Sequence, residues 1–441
     1  MLLEFKTTNY KSFRDELVFS LIPAPKQKGL DYSILKTQVG KKTYRGLCSS
    51  VIYGPNASGK SNIIGAMDAF KSIVFRGHIR NEPDLNNPNV AAGLLELIPN
   101  NKLSASQPVS FSIAFIENGL YVEYSFSADL GKFLSPNDKR KIISETLKIN
   151  NRTIFLRGMG LEVSNLGIVH DLLINAFEQN EASAIALAKN NLNDEELFLT
   201  SGFKTMFSSK LVSLITDWLK QKFMVIYRAN DLQIVHKFSD SMKKSIYVEK
   251  TVNEAANCFG IDSNELGYLV DDESDEAKLY SMFKRSDEKG TAILAEMFES
   301  FGTIRFINTF PLVVSALANG GTLVVDEFDA SLHPMALMSI INIFHNDEIN
   351  TNHAQLVFNT HNPIFLNANL FRRDEIKFVE RNEDTFHSAL YSLSDFGTVG
   401  KKGVRKNEDY MKNYFIDRYG AIKAIDFTPI LENLTEGAKE A

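Results

Sequence analysis

The eight residues Gly54-Pro55-Asn56-Ala57-Ser58-Gly59-Lys60-Ser61 constrain this chain more than any other feature. Glycines at both ends let a backbone wrap closely around phosphate oxygens, with amide N–H groups pointing inward at the start of a following helix. In such a loop Lys60 reaches the β- and γ-phosphates of a nucleotide and the Ser61 hydroxyl holds Mg²⁺, while Asn62 extends the contacting run into the helix. A chance match in a glycine-containing turn would lack the right flanks. Here an apolar strand pattern, Ser49–Tyr53, stops abruptly at Gly54, and a helical pattern begins at Lys60. The pattern predicts an α/β core with a phosphate-binding strand–loop–helix junction.

Three later segments complete this chemistry. Thr322-Leu323-Val324-Val325 reads as a buried strand, and two carboxylates, Asp326 and Glu327, emerge at its end. Asp326 suits the Mg²⁺ shell, and Glu327 suits polarisation of an attacking water. Adjacent acids at a strand end are common; the phosphate loop is what gives this pair meaning. Nothing resembles the Asn-Lys-x-Asp guanine reader, which leaves adenine as the expected base. Gln355–His361 is a second strand, ending in a histidine. In an open parallel sheet His361 would lie at the same carboxyl edge as the phosphate loop, able to donate to a γ-phosphate; the other seven histidines get the ordinary surface or core reading. Glu299-Ser300-Phe301-Gly302-Thr303 precedes a helical run, Ile304–Leu317. Ser300, Gly302 and Thr303 offer N–H groups and hydroxyls suited to an anion, although an ordinary N-cap has the same composition. Pro311 should kink or restart that helix.

Alternating segments at Val109–Ile116, Tyr121–Ala128, Thr146–Asn150 and Thr153–Leu156 predict an antiparallel sheet. The first strands turn at Asn9–Ser12. Leu211, Leu214, Ile215, Trp218 and Leu219 repeat at helical spacing and mark one buried face. The expected organisation is a first lobe over 1–160, a helical insertion over 161–225, a β-rich return segment over 226–298, and a second lobe over 299–441. The acidic run Asp271–Glu276 reads as a solvated loop. Charge, with 48 basic and 54 acidic residues and a formal net of −6, argues against a protein that coats nucleic acid. Apolar stretches such as Pro311–Leu317 read as too short to span a bilayer, and Met1 leads straight into a strand-like run, so neither membrane span nor signal peptide is expected. Cys48 and Cys258 read as buried thiols of a reducing compartment, and a cytoplasmic location follows.

Together these residues resemble the ABC-type ATPases of the SMC, RecF and OLD groups. In that resemblance Gly54–Ser61 is Walker A, Glu299–Thr303 the signature motif, Asp326–Glu327 Walker B, Ser331–Pro334 the D-loop and His361 the switch histidine. The Glu-Ser-Phe-Gly-Thr signature departs from the transporter form. It is similar to stand-alone AAA-type ATPases of bacterial phage-defence operons, including the RloA, abortive-infection and PARIS (AriA-type) ATPase subunits, as is the tail Tyr414–Ile422. The resemblance implies an α/β P-loop fold of ABC ATPase type, two-lobed, with an antiparallel β subdomain and a helical insertion. It also implies ATP and Mg²⁺ as ligands, Glu327 and His361 as catalytic groups, and a contact at the turn Lys11–Phe13 with adenine. Only Gln107 stands as a candidate for the glutamine loop.

The resemblance further implies a dimer in which the signature Ser300 and Gly302 touch the γ-phosphate held by the opposite subunit. For the use of ATP, three readings compete: a defence sensor that holds a separate effector such as a TOPRIM-type nuclease and answers a phage trigger; a RecF-like repair ATPase that clamps DNA; and a self-contained OLD-type nuclease. Only 80 residues follow His361, too few for an appended TOPRIM domain. Acidic charge and the lack of a coiled coil favour the first. The basic tail (Lys401, Lys402, Arg405, Lys406, Lys412, Arg418) reads either as a solvated helix face or as a docking site for an acidic partner or nucleic acid.

Overall fold

The computed structural model describes residues 1–25, 27, 29–82, 89–174, 181–227, 245–247, 255, 265–270, 277–284, 290–398, 403–405, 408–423, 425–429 and 431–432. The acidic run 271–276, Cys258, Lys401, Lys402 and Lys406 lie outside them.

In chain order the strands are β1 (Leu2–Thr8), β2 (Leu17–Ser20), β3 (Ile34–Val39), β4 (Lys42–Leu47), β5 (Ser49–Tyr53), β6 (Val109–Glu117), β7 (Leu120–Asp129), β8 (Lys141–Ile149), β9 (Arg152–Arg157) and β10 (Leu161–Val163). There follow β11 (Phe223–Ile226), β12 (Ser245–Tyr247), β13 (Glu265–Val270), β14 (Ala277–Lys284), β15 (Gly290–Leu294), β16 (Thr322–Val325), β17 (Gln355–Asn359), β18 (Ile376–Arg381) and β19 (Ser388–Ser392). The two large sheets have different characters. One is wholly antiparallel, in the order β10-β9-β8-β7-β6-β1-β2; the other, β11-β16-β17-β5-β18-β19, is parallel except for its last pair. β12–β15 form a separate antiparallel meander, and β3–β4 a hairpin.

Side-chain alternation explains the layering. On one face of the parallel sheet, Ile52, Val324, Val357 and Val379 join the core of the helix Lys60–Arg76, whose Phe70 packs against Phe5, Phe111 and Phe126 of the antiparallel sheet. On the other face Val51, Tyr53, Leu323, Val325, Leu356 and Phe358 pack under the helices Phe301–Asn319 and Pro334–Phe344. The Lys60 helix is therefore enclosed between two sheets, and its buried run Ile63–Ala66, Met67, Phe70, Ile73, Val74 reflects that. This is an α/β P-loop architecture of the ABC ATPase type.

Polar ties lock the layers in register. The Gln355 side chain accepts from Leu2 N (2.6 Å) and Thr322 Oγ1 (3.0 Å) and donates to the carbonyls of Leu2 (3.0 Å) and Leu47 (2.8 Å). Glu145 on β8, fully buried, accepts from Phe198 N, Leu199 N and the Tyr124 hydroxyl, fixing the helical segment onto the antiparallel sheet.

Two sequence expectations need correction. Helical structure runs unbroken from Phe301 to Asn319 with Pro311 inside it. The buried face (Phe306, Ile307, Thr309, Val313, Ala316) extends to both sides of the proline, so packing outweighs the proline's cost of about 3 kcal/mol in lost hydrogen bonding and ring clash. The same helix has 19 residues and a mean hydropathy of 1.4, so by length and composition it is long enough to cross a membrane, contrary to the reading of short apolar stretches. It carries Arg305, which donates to the Glu327 carbonyl, and it packs on β16, as a helix of an α/β core does.

Candidate nucleotide site

Because β16, β17, β5 and β18 are mutually parallel, their carboxyl ends lie at one edge. Gly54, Asp326, Thr360 and the end of β18 at Arg381 therefore come together, as expected at a switch-point crevice.

Close approach explains the loop's glycines. A Cβ at Gly54 would meet Val379 O at 2.4 Å and Ser58 Oγ at 2.7 Å; one at Gly59, whose φ is +111°, would meet Ser12 Oγ and Ser388 Oγ at 2.8 Å. Lys60 Nζ donates to the carbonyls of Gly54 (2.7 Å) and Pro55 (3.0 Å). Burial pulls its ammonium down to about 8, against the upward pull of Glu327, Asp326 and Asp329. Ser58 Oγ is buried with no hydrogen-bond partner. A cationic donor held on backbone carbonyls, an orphaned hydroxyl and a facing pair of carboxylates fit a phosphate chain with a divalent cation. Ser61 follows Lys60 at the head of the helix, and Asn62 donates to Ser12 Oγ at 2.8 Å. Asn56 and Ala57 form the exposed crest of the loop.

Asp326 is buried (3% exposed) and accepts from Asn359 Nδ2 at 2.6 Å; the same amide's oxygen accepts from Glu327 N at 2.5 Å. Glu327 has a left-handed backbone, φ +51°, which turns its side chain away from the strand direction. Asn359 is a residue the sequence reading missed. It immediately precedes Thr360 and His361 at the end of an apolar strand, and a polar residue in that position was the available signal. Thr360 Oγ1 donates to Asp329 (2.6 Å), joining the segment after Glu327 to the segment before His361. His361 is exposed. Its imidazole is pulled down by partial burial first and by Lys60 next, against Asp329, Glu327 and Asp326, which favours the neutral ring. Those four charges are its electrostatic neighbours, which brings His361 to the edge that β-strand order implies.

Ser300 caps the Phe301–Asn319 helix, accepting from Thr303 N at 3.1 Å, and stays exposed; Thr303 is buried. A Cβ at Gly302 would meet Ser331 O at 2.5 Å, so this glycine lets the helix start lie on the Ser331–Pro334 turn. Arg305, a lone charge on an apolar helix, ties that helix to Glu327; sequence reasoning missed it as well.

The Lys11–Phe13 turn also reaches the loop. Lys11 and Ser12 line a pocket of about 340 Å³ with Ala57, Asn62, Leu97 and Arg381, and Arg381 donates to Ala57 O at 3.2 Å. Gln107 lies exposed just before β6, where its carbonyl accepts from Asn9 Nδ2. In the tail, Tyr414 and Tyr419 pack with Phe378 of β18, and Tyr391 of β19 donates to Tyr419 O.

Fold and site together define a P-loop ATPase of ABC type. The chain belongs to the family described as "AAA domain, putative AbiEii toxin, Type IV TA system", which it matches over residues 49–367. No curated protein matches it. Among solved structures it is similar to an SMC head bound to the C-terminal winged-helix domain of ScpA (13% identity, 89% of this chain and 97% of that one, TM-score 0.41). It is also similar to the SMC head domain from Thermotoga maritima (14%, 89% and 98%, TM-score 0.34). A third similar structure is the Smc head domain from Pyrococcus furiosus with an extended coiled coil, bound to the C-terminal domain of ScpA (12%, 89% and 96%, TM-score 0.39).

Proposed function

We propose that this chain binds ATP with Mg²⁺, hydrolyses it, and dimerises when ATP is bound. The observation that carries the reading is the gathering of Lys60, Asp326, Glu327 and His361 at one sheet edge. In this reading Gly54–Asn62 hold the phosphates, Ser61 and Asp326 the cation, and Glu327 takes the proton of the attacking water. His361 donates an N–H to the γ-phosphate. Ser300, Gly302 and Thr303 serve the ATP of the opposite subunit. The bound cation would supply charge neutralisation between phosphates.

The wider role proposed is a cytoplasmic sensor and scaffold of an antiphage, abortive-infection system, holding a separate nuclease-type effector until a phage trigger appears. The family description, with its abortive-infection toxin, supports that direction. Native mass spectrometry of the protein, co-expressed with its neighbouring genes, tests both levels. Glu327→Gln should hydrolyse ATP roughly two to four orders of magnitude more slowly and accumulate as an ATP-loaded, even-numbered assembly carrying a neighbour's product. Hydrolysis at the wild-type rate removes Glu327 from its role. A bare dimer that retains DNA and no protein would replace the scaffold with a DNA-clamping repair ATPase.

A further inference from the structure

At the opposite, amino-terminal edge of the parallel sheet, three side chains from distant parts of the chain meet. Cys48 directly precedes β5, Glu375 directly precedes β18, and His345 closes the Pro334–Phe344 helix. All are buried, at 0%, 0% and 5% exposure respectively. Their thiol sulfur, ring nitrogen and carboxylate oxygen all lie within 4.8 Å of one another. His345 Nε2 is 3.3 Å from Glu375 Oε1, and Ser49 Oγ stands 2.9 Å from the first and 2.8 Å from the second.

The 3.3 Å between His345 Nε2 and Glu375 Oε1 has a geometric meaning. Ligands at about 2.0–2.3 Å from one tetrahedral ion are separated by about 1.6 times that length, or roughly 3.3–3.7 Å. A thiolate, an imidazole and a carboxylate are also the donor types that Zn²⁺ takes. The surroundings complete the case. Glu375 Oε2 accepts from Arg372 N at 2.7 Å, which fixes the carboxylate's orientation and leaves Oε1 facing the cluster. Ser33, on whose carbonyl the Cys48 N–H is bonded, also sets its buried side-chain hydroxyl beside the thiol. Tyr32, 42% exposed, lies over the imidazole with ring centroids 5.7 Å apart, between the cluster and solvent.

We infer that Cys48, His345 and Glu375 bind one Zn²⁺, with an oxygen donor in the fourth position where Ser49 stands. The site is structural. It joins the start of the strand that leads into the phosphate loop, the end of the helix that follows Asp326–Glu327, and the start of β18. Five residues of β5 separate it from Gly54, about 17 Å of extended chain. The His345 ring N–H donates to Ser49 and Ser49 to Glu375, while the thiol lies beside the Ser33 side chain.

The test uses the full chain, expressed in zinc-supplemented medium and desalted through a mild chelator. Mass-spectrometric metal analysis should find about one zinc per chain, falling below about a tenth in Cys48→Ser and His345→Gln. Cobalt loading should give a near-ultraviolet thiolate-to-metal band in the wild type and in Cys258→Ser, and none in Cys48→Ser. Should Cys48→Ser fail to fold, Glu375→Gln reads the same site: its zinc affinity should fall at least about tenfold. Wild-type protein without stoichiometric zinc overturns the proposal. So does a cobalt band that survives Cys48→Ser, or an unchanged affinity in Glu375→Gln.

Discussion

At the scale of single residues, the candidate nucleotide site gathers charged groups whose electrostatic balance a phosphate chain would change. Lys60 shows this most directly. Its ammonium is buried, rests on two carbonyls and titrates near 8 although three carboxylates face it. Phosphates would add negative charge at contact distance and raise that value again, so ATP binding takes up a proton once the free protein has lost it. Affinity should therefore be flat below pH 7.5 and weaken by about tenfold between pH 7 and pH 9, the fraction of protonated Lys60 falling in proportion. Equilibrium titration with a non-hydrolysable ATP analogue at both pH values checks this; equal affinity would mean that Lys60 stays charged in the empty loop. Stability responds in the opposite direction to affinity: the folded chain binds fewer protons at Lys60 than the unfolded one, so this residue's destabilising effect is greatest below pH 8 and fades as pH approaches the unfolded value of 10.5. The sequence made Lys60, Asp326 and Glu327 visible because each stands at fixed spacing from a strand end. Asn359 and Arg305 were hidden for the opposite reason: their partners, Asp326 and Glu327, lie 33 and 22 positions away.

At the scale of elements, periodicity exposed the strands and the enclosed helix because burial repeats every two or 3.6 residues. It could not show which edges meet. Gln355 is one such junction: to a periodicity count it is a polar residue opening an apolar strand, yet its amide satisfies the backbone of Leu2 and Leu47 across two sheets. Gln355→Leu keeps the volume and strands those buried groups. At about 1–3 kcal/mol for each unsatisfied group, the variant should lose roughly 2–5 kcal/mol of unfolding free energy in a urea titration. A loss under 1 kcal/mol would mean that water or a shifted β1 replaces the amide. Pro311 teaches the complementary point: a local rule that forbids a helix yields when the buried face on both sides already has a partner.

At the scale of the whole molecule, one exposed apolar face stands beside the start of the Phe301–Asn319 helix. Ser300 is exposed at its helix N-terminus, and around it Met297, Phe298 and Phe301 are 80%, 46% and 83% exposed, an apolar cluster of the kind that marks an interaction surface. If this face closes on the phosphate loop of a second copy, each active site draws on two chains, and two defective chains can repair one another. Ser300→Arg should bind ATP normally but fail to complete its partner's site. Glu327→Gln retains an intact Ser300 but lacks the base in its own site. Mixed in equal amounts before ATP is added, half of the dimers should be mixed, and each would hold one site with Glu327 from one chain and Ser300 from the other. Phosphate release should recover to about a quarter of the wild-type rate, from two proteins that are each inactive. Recovery requires exchange and a shared site together. A mixture as inactive as its components, under conditions where mass spectrometry shows mixed dimers, would mean that Ser300 acts within its own chain and that the apolar face belongs to a different partner.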